Sequence, residues 1–127
     1  MTLSHFKRQV RREQIADVAT VVAVQLVAQL REAGLVVQTE TKQAKTGTVY
    51  LAVRVFTADG RRLKHLGAAI RIADHRARPS DRWVNFSRPA CRFYGIWIFS
   101  SPWRIVRKVD RISRNILQGI RRKGGDV

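Results

Sequence analysis

The sequence predicts an α+β fold, in which a long N-terminal helix and a basic amphipathic C-terminal helix cover a three- or four-stranded, mainly antiparallel sheet. Three observations predict it: a breaker-free stretch before Gly34, alternating apolar residues over 35–73, and a helix-period pattern after Pro102. The 127 residues contain no internal repeat and no obvious linker, so we expect a single domain spanning residues 1–127.

The first predicted element is a helix that Ser4 caps and that ends before Gly34. Residues 15–30 are apolar on nearly every side, which is typical of a helix buried on several sides. Such a helix either crosses the core or lies between two copies of the chain, and its surplus of apolar surface predicts a homodimer. Because valine lowers helix propensity, a strand over residues 18–24 is the alternative.

The strands are predicted from alternation and turn signals. Residues 35–41 form a short first strand, and residues 48–57 alternate with Val49, Leu51, Val53 and Val55 on one face. The dipeptide Asp59-Gly60 predicts a hairpin, after which residues 66–73 alternate again. Residues 74–92 form a long connection, and residues 93–99 form the last strand before a helix that begins at Pro102 and runs to about residue 123.

The charge of the chain indicates an anionic partner. Lys+Arg 25 against Asp+Glu 9 gives a net charge of +16, and only six of the basic residues are lysine. This excess repels itself in a compact fold, and a polyanion would relieve the repulsion. Nucleic acid is the expected partner, because the arginine fork suits phosphate. An acidic protein surface is a second possibility, and membrane binding is not expected.

The last predicted helix separates apolar from basic residues on opposite sides. Its apolar side comprises Ile105, Val106, Val109, Ile112, Ile116, Leu117 and Ile120. Its basic side comprises the predicted phosphate contacts Arg104, Arg107, Lys108, Arg111 and Arg114. Solvated faces usually mix charges of both signs, because like charges three or four residues apart repel. The unmixed row therefore predicts a nucleic-acid interface, with an ordinary solvated face as the alternative.

The long connection is the second predicted part of the interface. Basic and aromatic residues alternate in it, as they do in sites where phosphates meet cations and bases stack on rings. The predicted contacts are Arg76, Arg78, Arg82, Trp83, Arg88 and Arg92. The alternative is that the aromatic residues hold the connection against the core.

The sequence gives little support for a catalytic site or a metal site. Asp74 and His75 end a strand and are weak candidates for acid–base work, as is His65. Neighbours on a strand point to opposite faces, so we expect Asp74 to pair with an arginine instead of with His75. Three histidines and Cys91 show no metal-ligand spacing, so no metal and no cofactor is expected.

The sequence therefore favours a non-enzymatic nucleic-acid-binding protein with an accessory or regulatory role, and it does not distinguish DNA from RNA. The alternatives are a small basic ribonuclease, such as a toxin, and a mobile-element inhibitor that docks on a larger protein or nucleoprotein complex. The basic N-terminus does not resemble a signal peptide. Residues 15–30 are too short and polar for a membrane span. We therefore expect a cytoplasmic location.

Overall fold

A four-stranded sheet with both helices on one face forms the fold. The computed structural model describes residues 2–63, 66–76 and 92–122. Its elements are α1 (Leu3–Glu32), β1 (Val36–Gln43), β2 (Val49–Phe56), β3 (Ala68–Ala73), β4 (Arg92–Trp97) and α2 (Pro102–Arg122). The strand order is β1-β2-β3-β4, with two antiparallel pairings and a parallel pairing of β3 with β4. The predicted α+β class is confirmed, with a sheet that is mixed but mostly antiparallel.

The core lies between the sheet and the two helices. As predicted, Val49, Leu51, Val53 and Val55 of β2 are buried in the core. The register of the sheet places alternate residues of β1, β3 and β4 on the same face as these four residues of β2. The helices complete this core with Ile15, Ala19, Val22, Leu26 and Leu30 of α1 and with Val109, Ile112 and Ile116 of α2. The expectation of a single buried face in β2 is wrong, because Tyr50 and Ala52 on the other face are also only 6% exposed.

The helix α1 differs from the prediction at its start and in its burial. Thr2, and not Ser4, caps the helix, since its hydroxyl accepts the backbone N–H of His5 at 3.1 Å. The strand alternative over residues 18–24 is wrong. Within a single copy of the chain α1 packs on one face only and leaves Val21 59% and Val24 60% exposed, so it does not cross the core; burial between two copies stays a prediction. The helix ends before Gly34, as predicted, and Gly34 takes a φ of 91° there.

Over its full length α1 is long and apolar enough to cross a membrane, a test that the core helix of a soluble protein also passes. Residues 15–30, which are too short and polar for a span by themselves, are only part of this helix. In this fold Ile15, Val22, Leu26 and Leu30 of α1 are fully buried in the core, whereas Val21 and Val24 of the same helix are exposed.

The turn after β2 forms where Asp59-Gly60 predicts it. Gly60 has a φ of 89°, a left-handed conformation that glycine adopts without steric cost. The Thr57 hydroxyl donates a hydrogen bond to the Asp59 carboxylate, and this bond holds the pKa of Asp59 below its usual value. The turn is thereby fixed by its own side chains.

The helix α2 begins at Pro102, as predicted, and runs in the same direction as α1. The two starts lie at one end of the sheet, where the Arg11 guanidinium sits 4.6 Å from the Phe99 ring centroid. At the other end Gly34 and Leu117 line a common cavity. Most of the predicted apolar side of α2 packs on the core, but Val106 is 57% exposed.

Candidate nucleic-acid interface

The basic side of α2 faces solvent. The four arginines at positions 104, 107, 111 and 114 are exposed, and Lys108 is half-buried beside them. Burial of Val109, Ile112 and Ile116 against the core forces the opposite side of the helix outwards. From position 104 to 114 the arginines form a row about 15 Å long at 1.5 Å per residue.

No carboxylate neutralises this row within the described part of the chain. The ion pairs formed there involve Arg11, Arg54 and His75, none of which lies on α2. The acid nearest to the row in sequence is Asp110, which is half-buried and accepts a hydrogen bond of 2.8 Å from the side-chain amide of Gln29. The Asp110 carboxylate thus has a neutral partner on α1 and forms no ion pair with an arginine of the row among the described residues.

The row borders an open groove between α2 and the end of α1. The groove is lined by Gln29, Arg104, Arg107, Lys108, Asp110, Arg111, Ser113 and Arg114. Five cations and one carboxylate face this space, so its electrostatic potential favours an anion. Arginine forks at this spacing can each bind a separate phosphate through two parallel hydrogen bonds.

An aromatic ring stands at the head of the row. Trp103 is 61% exposed, and the guanidinium carbon of Arg107 lies 4.4 Å from its ring centroid. This distance is within the range of a cation–π contact, which orients both side chains. Trp103 is not among the contacts predicted from the sequence, although its position four residues before Arg107 puts both on one helical face.

The predicted contacts in the long connection are only partly described. Arg78, Arg82, Trp83 and Arg88 lie outside the described residues, as does His65. Arg76 is exposed just after β3, and Arg92 is exposed at the start of β4. Because β3 and β4 are parallel, these two arginines lie at opposite ends of the strand pair. They therefore do not form one patch, and Arg92 shares a small cavity with Asn115 of α2.

The expectation that Asp74 and His75 do not touch is wrong. The His75 Nδ1 lies 2.9 Å from the Asp74 carboxylate oxygen Oδ1. The strand β3 ends at Ala73, so both residues lie in a bend where the alternation of a strand no longer applies. The predicted pairing of Asp74 with an arginine is confirmed, because Arg11 Nη1 lies 3.6 Å from Asp74 Oδ2.

The hydrogen bonds of His75 determine its tautomer. Arg71 Nη2 lies 2.9 Å from His75 Nε2, and Arg71 Nη1 donates to the His75 carbonyl at 3.2 Å. A guanidinium can only donate, so Nε2 accepts and Nδ1 carries the proton that is given to Asp74. The lone pair that a general base needs is therefore already committed to Arg71.

Comparison of the chain with protein-family models, with curated proteins and with solved structures found no match. Function is therefore inferred from the side chains themselves. Among the residues that the structure describes, no group of three or more His, Cys, Asp or Glu side chains is placed to hold a metal ion.

Proposed function

We propose that this protein is a non-enzymatic nucleic-acid-binding protein with an accessory or regulatory role, and that the arginine row of α2 is its main phosphate contact. The observation that carries the proposal is that the row is exposed and has no carboxylate partner among the described residues. A cationic row without internal counterions repels itself, and a phosphate backbone relieves that repulsion.

The dimensions of the row suit a phosphate backbone. Phosphates of duplex DNA follow one another at about 3.4 Å along the helix axis in each strand, so a row about 15 Å long can reach several of them. Each contact releases counterions, so binding should weaken steeply with salt, by about 0.9 units of log K per contact and per unit of log salt on duplex DNA.

The burial of the apolar side of α2 does not favour binding of this helix to a membrane surface. A helix that lies in a membrane interface inserts its apolar side among the acyl chains. In this fold Val109, Ile112 and Ile116 are at most 3% exposed, because they pack against the sheet and α1. The apolar side is therefore not available to lipid unless the core opens.

The ribonuclease alternative needs a histidine that can take up a proton. Arg71 Nη2 lies 2.9 Å from His75 Nε2, and this contact occupies the nitrogen that would take the proton, which supports the non-enzymatic proposal. The inhibitor alternative uses the same cationic surface to bind an acidic protein. Nucleic-acid binding and the inhibitor alternative therefore differ in the partner and not in the site.

A binding panel tests the proposal. The 127-residue chain is titrated against duplex DNA, single-stranded DNA and RNA of equal length at several salt concentrations. The proposal expects tight binding at low salt and a steep linear loss of log K with log salt. A protein that binds none of the three ligands at low salt would contradict the proposal. Recovery of a protein partner from nuclease-treated extract would then favour the inhibitor alternative.

A further inference from the structure

Exposed aromatic rings gather where β4 passes into α2. Trp97 is 41%, Phe99 49% and Trp103 61% exposed. Trp97 and Phe99 meet edge to face, with ring centroids 5.5 Å apart, and Arg11 caps the Phe99 ring. Large rings that are exposed to water do not gain the free energy of burial. A group of such rings at the surface is typical of a site that a ligand covers.

Trp103 is the ring that lies in line with the phosphate contacts. Positions 103, 107, 111 and 114 follow one another at steps of four, four and three residues, so they occupy one helical face. Arg107 covers one side of the indole at 4.4 Å, and the 61% exposure of Trp103 leaves much of the ring open to solvent. The ring is thus held in place with a flat apolar surface available at the head of a cationic row.

The combination of an exposed indole and a row of arginines suits one class of nucleic acid better than another. The bases of a duplex are stacked on one another inside the helix, so their faces are not open to a protein ring unless a base step is unstacked. The bases of a single strand are free to stack on an aromatic side chain while their phosphates follow a cationic groove. An indole in line with three arginines can bind both parts of the same strand.

We propose that the α2 site takes single-stranded nucleic acid, with a base stacked on Trp103 and the following phosphates on Arg107, Arg111 and Arg114. The proposal rests on the proposed function, since it assigns a substrate class to the same site. It does not depend on the long connection, and it makes Trp103 a residue that contacts the ligand.

The test compares three variants on two ligands. Trp103→Ala removes the ring, Trp103→Phe keeps a smaller ring, and Val106→Ala trims an exposed apolar residue of the same helical turn that lies off the row. Each is titrated against fluorescently labelled oligothymidylate and against a duplex of equal length at one salt concentration. Thermal melting accompanies each titration, and it should stay close to that of the wild type because both side chains are exposed.

The stacking proposal expects Trp103→Ala to weaken oligothymidylate binding on the order of 5- to 150-fold and duplex binding by about twofold or less. Trp103→Phe should retain most of the single-strand affinity, and Val106→Ala should bind both ligands like the wild type. Equal losses on both ligands would overturn the proposal, because the ring would then act only by placing Arg107. An unchanged affinity of Trp103→Ala would overturn it as well.

These outcomes are distinct from failure of the proposed function. A wild-type protein that binds duplex and single strand equally, with no effect of Trp103, overturns the substrate class but leaves phosphate binding by α2 intact. A wild-type protein that binds neither ligand at low salt removes both proposals together.

Discussion

Gln29 of α1 donates a 2.8 Å hydrogen bond to the carboxylate of Asp110 on α2. The bond joins the two helices and gives the acid a neutral partner. Asp110 nevertheless lines the same groove as Arg107 and Arg114, so its negative charge opposes any phosphate that enters there.

Asp110→Asn should therefore bind nucleic acid more tightly than the wild type. The substitution removes one negative charge and keeps an oxygen that can accept from Gln29. A charge about 4 Å from a phosphate in water is worth about 1 kcal/mol, so we expect roughly fivefold tighter binding at low salt and less at high salt. Asp17→Asn on the exposed side of α1 makes the same charge change away from the groove and should have little effect. Equal gains in both variants would show that net charge alone matters.

Changing Arg107, Arg111 and Arg114 together to Gln should flatten the dependence of log K on log salt for duplex DNA. Glutamine preserves helix propensity and removes three charges, so the slope should fall by roughly two to three units. Stability should not decrease, because the row is exposed and repels itself.

The matched control for this triple variant replaces Arg31, Arg61 and Arg62 by Gln. These exposed arginines lie outside α2 and carry the same total charge. The control should keep most of the salt slope. If the two triple variants lose the same slope, binding is a property of the whole cationic surface and not of the α2 row.

Replacing His65 and His75 together by Ala should leave nucleic-acid affinity within about twofold, because we expect no turnover and no phosphate contact from either side chain. The change should still lower the melting temperature. His75 accepts from Arg71, which is only 4% exposed, and loss of a partner of a buried polar group costs about 1–3 kcal/mol. His65→Ala alone serves as the control for the effect of His75. RNA cleavage by the wild type that disappears in the double variant would establish the ribonuclease alternative.

We propose that the chain forms a homodimer through the exposed apolar side of α1. Val21 is 59% and Val24 60% exposed on this side, and Val10 is 37% exposed about three turns before Val21. Sedimentation at high protein concentration and high salt, which screens the net charge, should show a dimer.

Val21→Gln with Val24→Gln should shift the sedimentation toward the monomer, since both substitutions place polar groups on the proposed contact. Val36→Gln, an exposed valine of β1, should leave the dimer unchanged. A wild-type protein that stays monomeric under these conditions contradicts the proposal.

Several features of this protein follow from local physics and were predictable. Alternation of apolar residues predicted which face of β2 packs on the helices, because side chains of a strand point to alternate faces whatever surrounds them. It did not predict that Tyr50 and Ala52 on the other face are buried too. Gly34 and Pro102 marked helix ends through their own backbone preferences. The arginine row of α2 was also predictable, since a helix with one apolar side must turn the other side outwards.

Other features needed the tertiary structure. Thr2 and Ser4 are both good caps, and only the path of the chain selected Thr2. The contact between Asp74 and His75 depends on where β3 ends, and the histidine tautomer depends on Arg71, which lies four residues earlier in the chain. The exposure of Trp103 depends on how far the core extends along α2.

The sequence by itself therefore determined the α+β class, the period of each element and the sign of the charge, because these depend on residues that are near one another in the chain. Only the tertiary structure decided that β4 runs parallel to β3, that Gln29 meets Asp110 and that α1 leaves Val21 and Val24 in solvent. Each of these depends on which distant surfaces meet. An apolar residue is equally suited to any apolar neighbour, so the pattern alone does not specify the partner.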